Sequence, residues 1–178
     1  MASAADEIPD AVLVARAQGG DEAAFAALFQ RHFERVRRFA FGVALGSQAA
    51  DDIAQETFIR AARQLGAMRE PQAFVAWLYR IAANVAKNHL RSDLSHRRKL
   101  AAVVQESGAD TGPAPDAAAS RAFDALRALP ADQRAAVVLV YLEECNHAEA
   151  ARRLGCAEST VSWRIFLAKR TLRQHLIA

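Results

Sequence analysis

The segment from residue 72 to residue 92 has the length of a helix, two chemically different faces and no acidic residue. Its apolar side chains recur every three or four positions, as on the buried side of a helix: they are Phe74, Trp77, Leu78, Ile81 and Val85. The opposite stripe consists of cations and amides, which bind phosphates and base edges: Arg80, Asn84, Lys87, Asn88 and Arg91. Because an ordinary solvated face mixes charges of both signs, the stripe favours a nucleic-acid interface over the alternative of an exposed amphipathic helix.

A second group of candidate nucleic-acid contacts lies near the end of the sequence. Asn146 followed by Glu149 resembles a capping box, and the short helix that it begins stops at Gly155. A three-residue turn over 156–158 then leads into a further helix from about Ser159. Two helices joined by so tight a turn predict a helix-turn-helix.

The second helix of this motif has aromatic side chains on its outward face. The apolar periodicity turns Val161, Ile165, Ala168 and Leu172 inward. The residues that point outward or lie on the flanks are Ser159, Ser162, Trp163, Arg164, Phe166, Lys169 and Arg170. Trp163 and Phe166 suit contact with thymine methyls in the major groove, or packing on a partner protein or on the first domain. The sequence leaves both roles open.

Chain breakers and capping residues define the helices that must carry these faces. Asp10 is placed to cap a short helix that stops at residues 19–20, and Asp21 to cap a long helix that runs toward Leu45. A third helix over 47–65 turns Ala54, Phe58, Ala61 and Leu65 inward and Asp52, Glu56 and Ile59 outward. Together with the helix over 72–92, called the striped helix below, these elements make a first domain of four helices.

Residues 106–120 contain no bulky aliphatic or aromatic side chain, and this composition predicts a linker. Residues 97–104 are interpreted as a weak extension of the striped helix. After the linker, one helix ends at Pro130 and the next, from Ala131, turns Ala135, Val138, Leu139 and Leu142 inward. The predicted fold class is all-α, with two small helical domains joined by a flexible linker, the second containing the helix-turn-helix.

The overall composition narrows the class of protein. The chain has 178 residues, of which 52% are hydrophobic and 24% charged, and this suits a globular protein of one or two small domains. The net charge is +3, but residues 71–100 carry six Lys or Arg against one Asp, so positive charge is concentrated at the striped helix. No long apolar run and no signal-peptide pattern is visible, so we expect a cytoplasmic protein without membrane insertion.

Neither a metal site nor a catalytic site is predicted. Cys145, His147 and Cys156 lie near one another, but their spacing matches no zinc pattern and a fourth ligand is missing. The sequence contains no phosphate-binding glycine loop, nucleophile elbow or paired-carboxylate pocket, and its five histidines are scattered. We therefore expect no enzyme, no catalytic residues, no metal and no cofactor.

Four motifs together resemble the bacterial RNA polymerase sigma factors of the extracytoplasmic-function (ECF) group. They are Asp52-Ile-Ala-Gln55-Glu56-Thr57-Phe58, Phe74-Val-Ala-Trp77-Leu78-Tyr79-Arg80-Ile81-Ala82-Ala-Asn84, Leu129-Pro130-Ala-Asp-Gln133-Arg134 and Ser159-Thr160-Val161-Ser162-Trp163-Arg164. Each motif alone is suggestive, whereas four in this order and spacing are specific. The resemblance implies a two-domain initiation factor that binds core RNA polymerase, recognises and opens promoters, and serves a stress or environmental response under the control of an anti-sigma factor.

The resemblance also implies a role for each segment: clamp binding and minus-ten recognition at 1–94, a linker at 95–118, and minus-thirty-five recognition at 119–178. Core RNA polymerase would contact Asp51, Asp52, Gln55, Glu56 and Ile59. The single-stranded non-template minus-ten element would contact Leu65, Met68, Arg69, Trp77, Tyr79, Arg80, Asn84, Lys87, Asn88 and Arg91, and the loop at 65–69 would receive a flipped base. The double-stranded minus-thirty-five element would contact Ser159, Thr160, Ser162, Trp163, Arg164, Phe166, Lys169 and Arg170.

Two positions depart from the family pattern. Trp163 stands where relatives mostly carry a small or basic residue, and Leu167 where arginine is frequent, so we expect an unusual minus-thirty-five preference. The alternative function is a helix-turn-helix regulator that acts outside the polymerase holoenzyme, but it leaves the first domain without a task. A regulator that only mimics a sigma factor would preserve the same folds.

Overall fold

The computed structural model describes residues 8–101 and 123–177, and it describes side chains up to residue 93 in the first range and up to residue 175 in the second. All regular structure in these ranges is helical. The helices are α1 (Asp10–Gln18), α2 (Glu22–Ala44), α3 (Ser47–Gln64), α4 (Phe74–Ala101), α5 (123–127), α6 (Ala131–Val137), α7 (His147–Leu154) and α8 (Glu158–Ile177). The predicted all-α fold class is confirmed, whereas most of the predicted linker lies outside the described residues.

Two predicted side-chain caps are confirmed. Asp21 caps α2, because its carboxylate accepts a 3.1 Å hydrogen bond from the backbone N–H of Ala24. Asn146 caps α7 in the same way, through a 2.8 Å hydrogen bond from the backbone N–H of Glu149. Each cap satisfies a donor that the first turn of a helix leaves unpaired, so these two helix starts are fixed locally.

The predicted cap at Asp10 is wrong. Pro9 precedes α1, and the Asp10 side chain makes no capping hydrogen bond. The carboxylate turns instead to α2, where it accepts a hydrogen bond from Arg31 and lies 2.8 Å from Nε2 of buried His32. A charge-assisted contact between two helices has replaced the local cap, and it fastens the start of α1 to the middle of α2.

The first domain packs α1 to α4 around an apolar core. Its most deeply buried side chains include Leu13, Leu28, Phe39, Ile53, Phe74 and Leu78. The residues of α3 predicted to face inward are all buried: Ala54, Phe58, Ala61 and Leu65. Short 3-10 turns at Leu65–Ala67 and Pro71–Ala73 connect α3 to α4. The striped helix therefore begins at Phe74, two residues later than predicted, and it continues through Ala101.

The second domain contains a change of helical period that the apolar pattern of the sequence does not predict. Helix α6 passes into a π-helix at Val138–Leu142, in which the backbone N–H of Glu143 donates to the carbonyl of Val138. A π-helix has an extra residue per turn, so it rotates every side chain that follows. The prediction that Leu142 faces inward is therefore wrong: Leu142 is 69% exposed, while Cys145 is buried.

The two domains pack directly against each other, with α7 on α4 and α6 on α2. One continuous apolar cluster contains buried residues of both domains. The domains approach each other closely at Gly42 of α2, where an added Cβ would lie 2.7 Å from Cγ2 of Val138. The absence of a side chain at Gly42 thus lets α6 approach the first domain.

Candidate nucleic-acid interface

The cation and amide stripe of α4 faces partly toward solvent and partly toward the second domain. Asn84, Asn88 and Arg91 are exposed. Lys87 is half-buried, and its Nζ lies 3.0 Å from Oδ2 of Asp132 on α6. Arg80 is exposed, but its aliphatic stem lies against Gly155, where an added Cβ would come within 2.9 Å of Cδ. In this arrangement the second domain covers one edge of the stripe.

Tyr79, which the family resemblance assigns to DNA, is buried between the domains. Its hydroxyl donates a 3.0 Å hydrogen bond to Oε2 of Glu143. The guanidinium of Arg153 lies 4.6 Å from the centre of the tyrosine ring, in a cation–π contact. Burial, followed by the charge of Glu143, raises the pKa of Tyr79 to about 12. Contact between Tyr79 and a promoter stays a prediction, and it requires the second domain to move away.

The loop at 65–69 has a buried end and an exposed end. Leu65 is buried, Met68 is half-buried and Arg69 is exposed. Gln18, the last residue of α1, donates hydrogen bonds from Nε2 to the carbonyls of Leu65 and Met68, at 3.0 and 2.7 Å. Trp77, also assigned to the minus-ten element, is half-buried beside Phe74.

The outward face of α3 carries the acids and amides assigned to a protein partner. Asp52, Gln55 and Ile59 are exposed, and Asp51 and Glu56 are half-buried. Asp51 lies 3.6 Å from Arg37, while Glu56 accepts a 2.7 Å hydrogen bond from Arg60. These pairs leave Asp52 and Gln55 as the most open polar groups of the face.

A groove of about 500 Å³ runs between this face and α4. It is lined by Asp52, Gln55, Glu56, Ile59, Arg60, Val85, Asn88, His89 and Ser92. Asn88, a member of the cation and amide stripe, therefore also borders the surface of α3. A partner seated in the groove would contact both helices.

The outward side of α8 matches the sequence prediction. Ser159, Ser162, Trp163, Phe166, Lys169 and Arg170 are exposed, and Thr160 and Arg164 are half-buried. Trp163 and Phe166 are 57% and 55% exposed, and their rings stack with centres 5.4 Å apart. The predicted inward residues Val161, Ile165 and Ala168 are buried. Helix α8 thus presents a stacked aromatic pair on a polar surface.

Internal contacts hold part of this surface in place. The Oγ of Ser162 lies 2.8 Å from Nδ1 of His147 at the start of α7. The ammonium of Lys169 lies 5.6 Å from the centre of the Tyr141 ring. Arg164 lies 3.8 Å from Asp132, the same carboxylate that holds Lys87. One acid therefore faces a cation from each of the two predicted DNA-binding helices.

Sequence reasoning missed four residues that organise these surfaces: Gln18, Asp132, Glu143 and Arg153. Each acts on a residue of another helix, and neither spacing nor periodicity indicates the pairing. Asp132 and Arg134 belong to a recognised motif, but the motif does not show which cation the acid meets. The signal for these residues exists only in the folded chain.

Two further findings concern what the described residues could bind. Among the side chains that the structure describes, at residues 8–93 and 123–175, no three His, Cys, Asp or Glu come together as a group that could hold a metal ion. Within residues 8–101 and 123–177, every helix is too short or too polar to span a membrane.

Comparison with known proteins relates both domains to one family. Residues 28–95 match the family model of Sigma-70 region 2, and residues 121–172 match that of Sigma-70 region 4. Over 170 residues the chain is 36% identical to the ECF RNA polymerase sigma factor SigM of Mycobacterium tuberculosis, covering 96% of this chain and 86% of SigM.

Two solved structures are similar over most of the chain. The structure of CnrH in complex with the cytosolic domain of CnrY has 27% sequence identity and a TM-score of 0.69, covering 94% of this chain and 96% of that one. The sigma factor RpoE of Bartonella quintana, in complex with the anti-sigma factor NepR, has 26% identity and a TM-score of 0.66, covering 86% and 97%.

The match of the first domain to Sigma-70 region 2 and of the second to Sigma-70 region 4 defines a DNA-binding initiation factor of the sigma-70 type. The chain belongs to the ECF group of RNA polymerase sigma factors. The family resemblance read from the four motifs is thereby confirmed. The chain binds core RNA polymerase and directs it to promoters, and the alternative of a regulator outside the holoenzyme is not supported.

Proposed function

We propose that the first domain works through two separate surfaces. The outward face of α3, with Asp52 and Gln55 as its most open polar groups, binds the clamp of core RNA polymerase. The stripe of α4 and the loop at 65–69 bind and open the minus-ten element. The observation that supports this division is the placement of acids and amides on α3 and of cations and amides on α4, so that each surface suits one partner.

In the same proposal, α8 reads the minus-thirty-five element. A recognition helix approaches the major groove with its first turns, and these turns carry the exposed Ser159, Ser162 and Trp163. Trp163 and Phe166 offer apolar surface to thymine methyls, while Lys169 and Arg170 offer charge to phosphates. The half-buried Arg164 joins this surface once its contact with Asp132 is released.

We also propose that an anti-sigma factor controls the chain in a stress or environmental response. RpoE of Bartonella quintana, which has a similar fold, was solved in complex with the anti-sigma factor NepR. Exposed apolar side chains on the second domain, Tyr141, Leu142, Trp163 and Phe166, provide surface for such a partner.

Charge reversal on α3 tests the polymerase surface. The double variant Asp52→Lys with Gln55→Ala is expected to lose binding to core RNA polymerase, because it reverses one charge and removes one amide at the centre of the face. Helix content and melting temperature should change little, because both side chains are exposed. Binding is measured by co-purification of the variant with core enzyme.

The matched control is Glu22→Lys, which reverses the charge of an exposed acid in the first turn of α2, outside the α3 face. It should retain core binding, and this would show that net charge alone does not decide the result. Retained binding by the α3 double variant would contradict the assignment of this face to the polymerase.

A further inference from the structure

The last side chain of α1 holds the two ends of the short loop that follows α3. The amide nitrogen of Gln18 lies 3.0 Å from the carbonyl oxygen of Leu65 and 2.7 Å from that of Met68. A glutamine amide carries two N–H donors, so one side chain serves both carbonyls. The backbone N–H of Met68 also donates to the carbonyl of Leu65 at 3.0 Å, which closes the 3-10 turn.

Helix α1 is itself fixed at its other end, so Gln18 is held by a rigid element. Asp10 is bound to Arg31 and His32 of α2, and Leu13 and Val14 are buried in the core. The helix also contacts both 3-10 turns between α3 and α4. Helix α1 cannot shift along α2 without breaking these contacts. Gln18 is therefore held in place, and its hydrogen bonds hold the backbone of the loop at a fixed distance from α1.

The loop needs such support because its own bonding is sparse. A single 3-10 turn has poorer hydrogen-bond geometry than an α-helix. Gly66 and Ala67 are exposed, and Leu65 is the buried side chain of the turn. Without Gln18, the carbonyls of Leu65 and Met68 would each lose a protein donor and could turn toward water. The separation of the two ends of the loop would then no longer be fixed.

We propose that Gln18 is a positioning residue for minus-ten recognition, which shapes the loop at 65–69 for the base that it accepts. The inference rests on the proposed role of this loop in capturing a flipped base. Extruding a base costs a few kcal/mol of stacking and pairing, so its pocket must be formed before the base arrives. Gln18 acts through the backbone of Leu65 and Met68 and needs no contact with DNA.

The test replaces Gln18 with methionine, which keeps the length of the side chain and removes both donors. Holoenzyme carrying Gln18→Met is compared with wild type on a promoter library that varies each minus-ten position, and open-complex formation is measured. At one minus-ten position, we expect the ratio of open-complex formation between the preferred base and the other bases to fall about five-fold or more. This is the effect of losing one base contact. Preferences at the other minus-ten positions, minus-thirty-five preference and core binding should be unchanged.

Two matched variants separate positioning from general damage. Gln18→Lys retains a donor long enough to reach the carbonyls, and we expect it to restore much of the lost discrimination. Arg16 lies on the same helix as Gln18 and pairs with Asp21, the cap of α2. Arg16→Met removes this ion pair without removing a donor to the loop, and it should behave as wild type. An equal loss at every minus-ten position, or no loss at any, would overturn the positioning role.

A change in the loop itself distinguishes this inference from the function on which it rests. If Met68→Ala leaves base preference unchanged, the proposed role of the loop is wrong. If Met68→Ala alters the preference at one position and Gln18→Met does not, the loop is used but Gln18 does not position it.

Discussion

At the scale of single residues, the junction between the domains contains one buried carboxylate, that of Glu143. The side chain of Glu143 is 8% exposed, and it accepts a hydrogen bond from Tyr79 and lies 3.5 Å from Arg35 and 4.0 Å from Arg153. A buried charge is tolerated only where such partners replace water. Glu143 is therefore stable in the protein interior only while the second domain stays on the first.

The ionisation of Tyr79 reports on this junction. The protein has two tyrosines, so in Tyr141→Phe only Tyr79 forms tyrosinate, and we expect its absorbance change to have a midpoint near pH 12. A raised pKa means that the folded state favours the neutral phenol. The neutral Tyr79 therefore contributes stability that is fully present below pH 10.0, its ordinary pKa, and that is lost as pH rises through about 12. Adding Glu143→Gln should lower the midpoint, because the carboxylate charge is removed. A midpoint at the ordinary value of 10.0 would show that Tyr79 is open to water.

At the scale of elements, the π-helix at the end of α6 determines which side chains meet the first domain. It turns Leu142 into solvent and leaves Val138 and Leu139 buried. Val138 then meets α2 at Gly42, where even one methyl group would approach Cγ2 of Val138 to 2.7 Å. The contact between α2 and α6 thus needs a small residue on one helix and a branched residue on the other.

A double-mutant cycle tests this contact. Gly42→Ala should cost the full chain about 1–3 kcal/mol of folding free energy through overpacking. The better helix propensity of alanine offsets about 1 kcal/mol of that cost. Val138→Ala makes room for the new methyl, so the double variant should be more stable than the sum of the single effects predicts, with a coupling of about 0.5–3 kcal/mol. Denaturant unfolding measures all four free energies, and strictly additive effects would show that the two helices are apart in solution.

At the scale of the whole molecule, the two surfaces proposed to bind DNA are linked through Asp132. Its carboxylate lies 3.0 Å from Lys87 of α4 and 3.8 Å from Arg164 of α8. While these contacts exist, the domains lie together and neither cation is free to meet phosphate. If the proposed function is right, the promoter-bound arrangement must differ from this one, because Lys87 and Arg164 have to leave Asp132 before they can meet phosphates.

Removal of the Asp132 carboxylate should make the cations available. We expect Asp132→Asn to bind duplex DNA more tightly than wild type at low salt. The plot of log binding constant against log salt concentration should become steeper, by about one phosphate contact for each cation released. The control is Asp124→Asn, which removes an exposed acid of the same domain and gives the same net charge. Fluorescence titration over a series of salt concentrations compares them, and an equal gain in both variants would attribute the effect to net charge alone.

Much of the fold follows from local sequence. The buried and exposed faces of α3, α4 and α8 were predicted because helical periodicity is a property of neighbouring residues, and the caps at Asp21 and Asn146 because a cap reaches only three residues ahead. The same locality made the family motifs visible, and with them the sigma-factor function. The cap at Asp10 was wrong because a contact with another helix competed with the local one.

Only the tertiary structure decided how the surfaces are held. Gln18 is 47 residues from Leu65 and 50 from Met68, the two residues whose carbonyls it binds. Glu143 and Tyr79 are 64 residues apart. Such pairs leave no periodic signal, because each partner looks like an ordinary polar residue on its own helix. The π-helix was likewise invisible, because the periodicity argument assumes a constant 3.6 residues per turn along the helix. Sequence determines which faces exist, and packing between distant helices determines which of them meet.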